Sequence, residues 1–149
     1  FDVIHVSGRR DYADLVKRLE SATHKERYTL LEYEPNMGDC LAACDLVLAR
    51  SGGSVFELTA RGRPAVLVPY PHATGDHQTA NAEWMAEAGA AEVITDDDLS
   101  ADLITESVNR ILGDGATLEK MAAASLTLAR PDAAADIAEE VLKFAGKPK

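Results

Sequence analysis

Short apolar runs alternate with stretches of helical periodicity up to about residue 94. The apolar runs predict strands, and the stretches between them, where apolar residues recur every three or four positions, predict helices. Such alternation is typical of βαβ units with a parallel sheet. The predicted strands are 3–6, 28–31, 46–49, 65–68 and 92–94, and the helices between them are 12–19, 37–43, 55–60 and 78–88.

Beyond residue 94 the pattern predicts helices only, at 101–112, 118–128 and 133–144, separated by turn signals. The predicted fold class is therefore α/β: a Rossmann-like, doubly wound parallel sheet with helices at the carboxyl terminus. One domain is expected over residues 1–146, followed by a short tail at 147–149. Because such sheets bind ligands at the carboxyl ends of their strands, the loops at those ends are the candidates for chemistry.

Composition narrows the classes of ligand and partner. The 149 residues are 46% hydrophobic, enough for the core of one domain, and the formal net charge is −10. This acidity argues against nucleic acid, whose binding depends on Lys and Arg to neutralise phosphates. An anionic ligand would then be held by backbone amides and a few placed side chains. Cys40 and Cys44 are interpreted as buried, reduced thiols on one helix face.

No run approaches the roughly 20 apolar residues that span a bilayer, and no signal peptide opens the chain. A soluble, cytoplasmic protein is therefore expected. The chain begins at Phe1 and enters a predicted strand directly, so we expect it to be a piece of a longer protein. Function is then expected to depend partly on the missing piece.

The loop after the third predicted strand, from Arg50 to Glu57, opens a helix with small residues. Glycine and serine let a ligand approach N–H groups at a helix N-terminus, whose partial charge of about +0.5 suits a diphosphate. The structural alternative is a tight turn with a Ser54–Glu57 capping box, and for these two residues the alternatives are evenly balanced. The loop lacks the Walker lysine and the G-x-G-x-x-G spacing, so it does not identify the ligand by itself.

The loop after the fourth predicted strand, 69–82, brings polar side chains to the start of the next helix. His77, Gln78 and Asn81 can donate and accept hydrogen bonds, as recognition of sugar hydroxyls requires. Structural explanations exist for single residues: Asp76 as a helix N-cap, and Asn81 as a partner of neighbouring backbone.

Together the two loops resemble those of glycosyltransferase family 28, in the carboxy-terminal, donor-binding domain of GT-B enzymes of peptidoglycan synthesis. The segment Asp76–Ala82, Asp-His-Gln-Thr-Ala-Asn-Ala, is its most specific part. The resemblance extends to about Leu112, and the later helices share only the general pattern of the family's helices. The other matching segments are Ser7-Gly8, 33–37, Arg50-Ser-Gly-Gly with Glu57, Gly-Arg-Pro-Ala at 62–65, Pro-Tyr-Pro-His at 69–72, and 87–91.

This resemblance implies that the domain binds UDP-N-acetylglucosamine. Ser7 would help to hold the diphosphate, and the backbone around Glu34 would face the uracil. Glu57 would accept hydrogen bonds from the ribose hydroxyls, for which a carboxylate is chemically apt. The other implied donor-binding residues are Gly52, Gly53 and Ser54 beneath the phosphates, His77, Gln78 and Asn81 near the sugar ring, and Arg50, whose alternative is to support the loop.

The implied reaction of the intact enzyme is inverting transfer of N-acetylglucosamine to lipid I, giving lipid II at the cytoplasmic face of the membrane. The resemblance implies no metal and no cofactor in this domain besides the substrate. The family's amino-terminal domain, which holds lipid I, the membrane-facing surface and the general base, is absent from this sequence, so we expect no catalytic residue here. Two further departures are a missing first strand, central in the family's sheet, and a glycine loop one residue shorter than usual.

Two other functions stay open. UDP-N-acetylglucosamine 2-epimerases share the architecture and a Ser-Gly-Gly loop followed by Glu, but their next loop differs, so the segment 72–81 favours the transferase. The third possibility is a non-catalytic nucleotide-sugar-binding subunit that pairs with a separate acceptor chain. A hydrolase built on Ser51 or Ser54 is disfavoured because the G-x-S-x-G pattern is missing. The acidic run Asp96–Asp98 is interpreted as a solvated turn, not a metal site.

Overall fold

The computed structural model describes residues 1–145, and the predicted strands and helices are all present there. Two helices begin three residues earlier than predicted, because polar or small first turns such as Arg9–Asp11 give no apolar periodicity. The predicted boundary at 146 and the tail 147–149 lie outside the described residues. The strands are β1 Val3–Val6, β2 Tyr28–Leu31, β3 Val47–Ala49, β4 Ala65–Leu67 and β5 Ala91–Val93; the helices are α1 Arg9–Glu20, α2 Met37–Ala43, α3 Val55–Ala60, α4 His77–Glu87, α5 Ala101–Gly113, α6 Gly115–Thr127 and α7 Ala133–Ala145.

Every pair of hydrogen-bonded strands runs parallel, which confirms the α/β class. β1 and β2 form a two-stranded sheet, while β3, β4 and β5 form a three-stranded sheet in that order. The chain correspondingly divides into two compact units, residues 1–40 and the residues from Leu41 onward.

In the first unit, β1 and β2 align Val3 with Tyr28 and Val6 with Leu31. A hydrogen bond of 2.5 Å joins His5 Nδ1 to the Tyr28 hydroxyl, and burial raises the pKa of that hydroxyl. Helix α1 packs against β2 through side chains that are at most half-buried. The core of this unit is therefore small.

The second unit contains the main core, built around the central strand β4, whose three residues are fully buried. Successive strand side chains point to opposite faces of the sheet, so Leu67 faces away from the cluster that contains Val66. Burial on both faces explains the continuous apolar run at 65–68. The cluster on the Val66 face consists of Val66, Val68, Ile94, Ile111 of α5 and Met121 of α6.

The helices that follow β5 have clear capping signals. Ser100 caps α5 by accepting the Leu103 N–H, and Asp114 caps α6 by accepting the Ala116 N–H. In contrast, α7 buries none of its residues and leaves Ile137 and Val141 exposed. None of the helices within residues 1–145 has both the length and the apolar character needed to cross a bilayer.

The two cysteines differ from their prediction. Cys40 lies in α2, whereas Cys44 follows the end of that helix, and both side chains are half-buried rather than buried. The carbonyl of Cys44 accepts a hydrogen bond of 2.6 Å from Arg63 Nη1. Helix α2 is too short to place both residues on one face.

Gly62 is a position where an added methyl group should cost stability. Its φ of 60° is left-handed, and a Cβ there would lie 2.6 Å from Leu126 Cγ of α6. We expect Gly62→Ala to lower the free energy of unfolding by about 2 kcal/mol. Urea denaturation followed by fluorescence of Trp84, the only tryptophan, measures this change.

Gly89→Ala is the matched control, because Gly89 also has a positive φ, of 79°, but open space around the added Cβ. It should cost only the backbone strain, about 1 kcal/mol. Equal losses for the two variants would show that Leu126 moves aside at no cost.

Candidate functional site

Three loops of the second unit follow the carboxyl ends of neighbouring parallel strands. The glycine loop, residues 50–54, follows β3; the polar loop, residues 69–76, follows β4; and an acidic turn at 95–98 follows β5. Because parallel strands end at the same edge of a sheet, these loops gather at one edge. The structure thus brings together Arg50, Gly52, Gly53, Ser54, Glu57, His77, Gln78 and Asn81 of the predicted site.

The glycine loop presents backbone donors ahead of α3. The carbonyls of the loop already accept hydrogen bonds from α3: Val55 N–H donates to Gly52 O at 3.2 Å, and Phe56 N–H donates to Gly53 O at 3.2 Å. Within residues 1–145, the N–H groups of Gly52, Gly53 and Ser54 have no acceptor. Such N–H groups beside a helix N-terminus are suited to an anion.

The capping box suggested for Ser54 and Glu57 is wrong. Ser54 has helical φ and ψ of −60° and −19°, whereas a capping residue is normally extended, and its side chain makes no capping hydrogen bond. The chain has already turned at Gly52 and Gly53. Glu57 is exposed, and its carboxylate has no partner among the described residues. Both side chains are therefore available to a ligand.

The polar loop is shaped by two consecutive left-handed residues, Gly75 with φ 64° and Asp76 with φ 55°. Asp76 occupies the N-cap position of α4, as considered, but its carboxylate accepts the Thr79 hydroxyl at 2.6 Å and makes no capping hydrogen bond to the backbone. His77 Nδ1 lies 2.6 Å from the Thr74 carbonyl. A carbonyl can only accept, so Nδ1 carries a proton, and in the neutral tautomer with that proton Nε2 is an acceptor.

Side chains of α4 join the polar loop to the glycine loop. Gln78 Oε1 accepts the Tyr70 N–H at 3.0 Å, and its main-chain carbonyl accepts the hydroxyl of fully buried Ser51 at 2.7 Å. Asn81 Nδ2 donates to the Ser51 carbonyl at 2.9 Å. Asn81 thus bonds backbone of the glycine loop, 30 residues away, and not the neighbouring backbone considered for it; a contact between Asn81 and a donor stays a prediction.

Arg50 is held at the junction of the three loops. Its Nη1 lies 3.3 Å from the Val68 carbonyl, 3.1 Å from the Pro69 carbonyl and 2.5 Å from Asp96 Oδ1. Its guanidinium carbon lies 5.6 Å from the centre of the Tyr70 ring. The structural role considered for Arg50 is thus present, and its contact with a donor stays a prediction. Residues 96–98 form a turn in which Asp97 and Asp98 are exposed, as interpreted, whereas Asp96 is half-buried and pairs with Arg50.

Ser7 and Glu34 belong to the first unit, where each makes local contacts. The Ser7 hydroxyl donates to the Leu31 carbonyl at 3.3 Å, at the end of β1. Glu34 Oε1 accepts the Asn36 N–H at 2.7 Å, which shapes the turn before α2. Their roles in donor binding stay predictions.

Ser51 is unsuited to hydrolysis, because its buried hydroxyl donates to a main-chain carbonyl and not to a histidine. Over residues 1–145, no three His, Cys, Asp or Glu side chains are grouped as metal ligands. The chemistry that this edge of the sheet supports is recognition of an anion through N–H groups, flanked by an exposed carboxylate and polar side chains.

Solved structures identify the class of the fold. The chain aligns with a crystal structure of Acinetobacter baumannii MurG with a TM-score of 0.83 and 26% identity, over 95% of this chain and 43% of that one. It also aligns with the calicheamicin glycosyltransferase CalG4, with a TM-score of 0.68 and 28% identity, over 97% of this chain and 36% of that one. The fold is that of the carboxy-terminal, Rossmann-like half of GT-B glycosyltransferases.

Residues 1–140 match the glycosyltransferase family 28 C-terminal domain, and the chain belongs to that family. Two curated relatives are 37% identical, from Rubrobacter xylanophilus over 95% of this chain, and 42% identical, from Salinibacter ruber over 97% of it. Both are named UDP-N-acetylglucosamine--N-acetylmuramyl-(pentapeptide) pyrophosphoryl-undecaprenol N-acetylglucosamine transferase. The chain spans 41% and 38% of their lengths.

Proposed function

We propose that this chain is the donor-binding domain of an inverting glycosyltransferase that moves N-acetylglucosamine from UDP-N-acetylglucosamine to lipid I, giving lipid II in peptidoglycan synthesis. The observation that carries the proposal is the set of N–H groups at Gly52–Ser54 that have no acceptor among the described residues, next to the exposed carboxylate of Glu57. The names of the relatives support the same donor and acceptor.

The glycine loop would bind the donor diphosphate. Direct displacement at the anomeric carbon leaves negative charge on the departing UDP, and fixed N–H donors stabilise such charge without reorganising. The chain has a net charge of −10, so these local donors must outweigh an unfavourable overall field. Ser7 and Glu34 lie in the first unit, and their roles in donor binding stay predictions.

The polar loop would recognise the sugar of the donor. Gln78 Oε1 is occupied by the Tyr70 N–H, which leaves its Nε2 amide hydrogens for sugar oxygens. In the tautomer with Nδ1 protonated, His77 would offer Nε2 as an acceptor to a sugar hydroxyl. Asn81 would act chiefly by holding the Ser51 carbonyl, and so the glycine loop, in place.

The remaining steps would fall to parts of the relatives that this chain does not span. The acceptor, the general base that deprotonates it and any contact with the cytoplasmic face of the membrane are assigned there. No metal or cofactor is proposed for this domain. Transfer to lipid I is accordingly expected from the complete enzyme and not from this chain alone.

Isothermal titration of the chain with UDP-N-acetylglucosamine, UDP-glucose and ADP tests the proposal. We expect saturable binding of the first, about tenfold weaker binding of UDP-glucose because the N-acetyl contacts are lost, and still weaker binding of ADP. Circular dichroism of the same sample controls for folding. A folded chain that bound ADP as well as UDP-N-acetylglucosamine, or bound none of the three, would contradict the proposal.

A further inference from the structure

One guanidinium connects the ends of three neighbouring strands. Arg50 follows β3, the carbonyls of Val68 and Pro69 follow β4, and Asp96 follows β5, and all three partners lie within 3.3 Å of Arg50 Nη1. Because these strands are adjacent in the order β3-β4-β5, this single contact set spans the whole carboxyl edge of the sheet.

Few other hydrogen bonds hold the polar loop to the sheet. Pro69 and Pro71 carry no N–H and cannot donate to it. The loop ends in two left-handed residues, Gly75 and Asp76, a conformation that costs energy at a residue with a Cβ. Its start is held by the Arg50 contact to the Pro69 carbonyl and by the Tyr70 N–H bond to Gln78.

We propose that Asp96 is a positioning residue for sugar recognition. It acts through Arg50: the carboxylate fixes the guanidinium against the Val68 and Pro69 carbonyls, and the guanidinium fixes the loop that leads to His77 and Gln78. Asp96 itself touches no donor. This role rests on the proposed function, because the polar loop is where the N-acetylglucosamine ring is expected.

A carboxylate is needed because the side chain of Arg50 is 46% exposed and long enough to take other positions. The carbonyls are uncharged acceptors, so Asp96 adds the attraction of a full negative charge at one defined position to the two hydrogen bonds that they accept. Exposed ion pairs add little to global stability, so the loss of Asp96 should alter loop geometry more than unfolding.

The test compares Asp96→Ala with Asp97→Ala in titrations with UDP-N-acetylglucosamine and with UDP. Asp97 is the matched control, since it is an exposed neighbour of equal charge with no partner among the described residues. We expect Asp96→Ala to weaken UDP-N-acetylglucosamine binding about fivefold while UDP changes less than about twofold, and Asp97→Ala to change neither. Asp96→Glu should restore most of the loss.

A double-mutant cycle tests whether Asp96 acts through Arg50. In an Arg50→Ala background, Asp96→Ala should have no further effect on either ligand. An undiminished effect there, an equal loss for both ligands, or no loss for either would overturn the proposal.

Amide hydrogen exchange of the unliganded chain separates this proposal from the proposed function. Asp96→Ala should speed exchange at Tyr70, Ala73 and Asp76, whose N–H groups bond within the polar loop or to α4. Unchanged exchange would overturn the proposal whatever the ligand. Absence of binding by the folded wild-type chain would instead overturn the proposed function, and the recognition role of Asp96 with it.

Discussion

Replacing Glu57 by alanine should weaken binding of UDP-N-acetylglucosamine by roughly 30-fold or more. A carboxylate that accepts two hydroxyls of a ribose diol makes two charge-assisted hydrogen bonds, each worth about 1.5 to 3 kcal/mol, and part of this is recovered by water in the variant. A net loss of about 2 to 4 kcal/mol corresponds to the stated factor. Isothermal titration measures it, with UDP expected to lose as much as the nucleotide sugar, because both contain the ribose.

A loss of affinity in Glu57→Ala could not be explained by the change in net charge. Removing a negative charge from a chain of net charge −10 should by itself favour an anionic diphosphate. Glu83→Ala provides the matched control, because Glu83 is an exposed glutamate on α4, and it should leave affinity unchanged or slightly stronger. With 2′-deoxyuridine diphosphate, Glu57→Ala should cost less than with UDP. A folded Glu57→Ala chain that kept its affinity within twofold would remove Glu57 from the site.

The elements of the fold could be predicted because each has a local cause. Strand β4 is an apolar run buried on both faces, and α5 has a serine at its start that accepts the Leu103 N–H. Such signals lie within a few residues of one another in the sequence. The two single-turn helices, Lys25–Arg27 and Thr74–Asp76, were missed because a turn of that length has no periodicity to detect.

The contacts that join the loops could not be predicted in the same way. Ser51 and Gln78 are 27 residues apart, and Arg50 and Asp96 are 46 apart, so no local pattern relates them. The available signal was indirect: each of these residues lies at or near the carboxyl end of a strand, or at the start of the helix after it. Residues at the ends of adjacent parallel strands are neighbours, and Asp96 could have been paired with Arg50 on that ground.

One prediction made from the local sequence pattern at the site, the capping box, is wrong. The S-x-x-E spacing of Ser54 and Glu57 fits a capping box, yet the turn at Gly52 and Gly53 places Ser54 already in helical conformation. Ser54 lies within the turn at 53–54 and so does not take the extended conformation of a capping residue. The resemblance to family 28 assigns both side chains to a ligand, and that assignment stays a prediction.

Leu67→Ala should have the largest effect on stability, a loss of about 3 to 5 kcal/mol in the free energy of unfolding of the second unit. Leu67 is fully buried in the central strand, where loss of a leucine side chain removes its burial energy and leaves a cavity. Urea denaturation followed by Trp84 measures this loss, because Trp84 lies in the second unit and packs on Phe56 with ring centres 5.6 Å apart. The slope of the transition should stay unchanged if the unit unfolds in one step.

Leu48→Ala is the control, because Leu48 lies on the neighbouring strand β3, paired in register with Val66, but is 47% exposed. The same truncation there should cost about 1 kcal/mol, since little apolar surface returns to water. The contrast between two leucines on adjacent strands tests where the core lies. Because the sheet edge that carries the candidate site is anchored on β4, Leu67→Ala should also weaken nucleotide binding near its unfolding midpoint, whereas Leu48→Ala should not. Equal losses of stability for both variants would contradict the central position of β4.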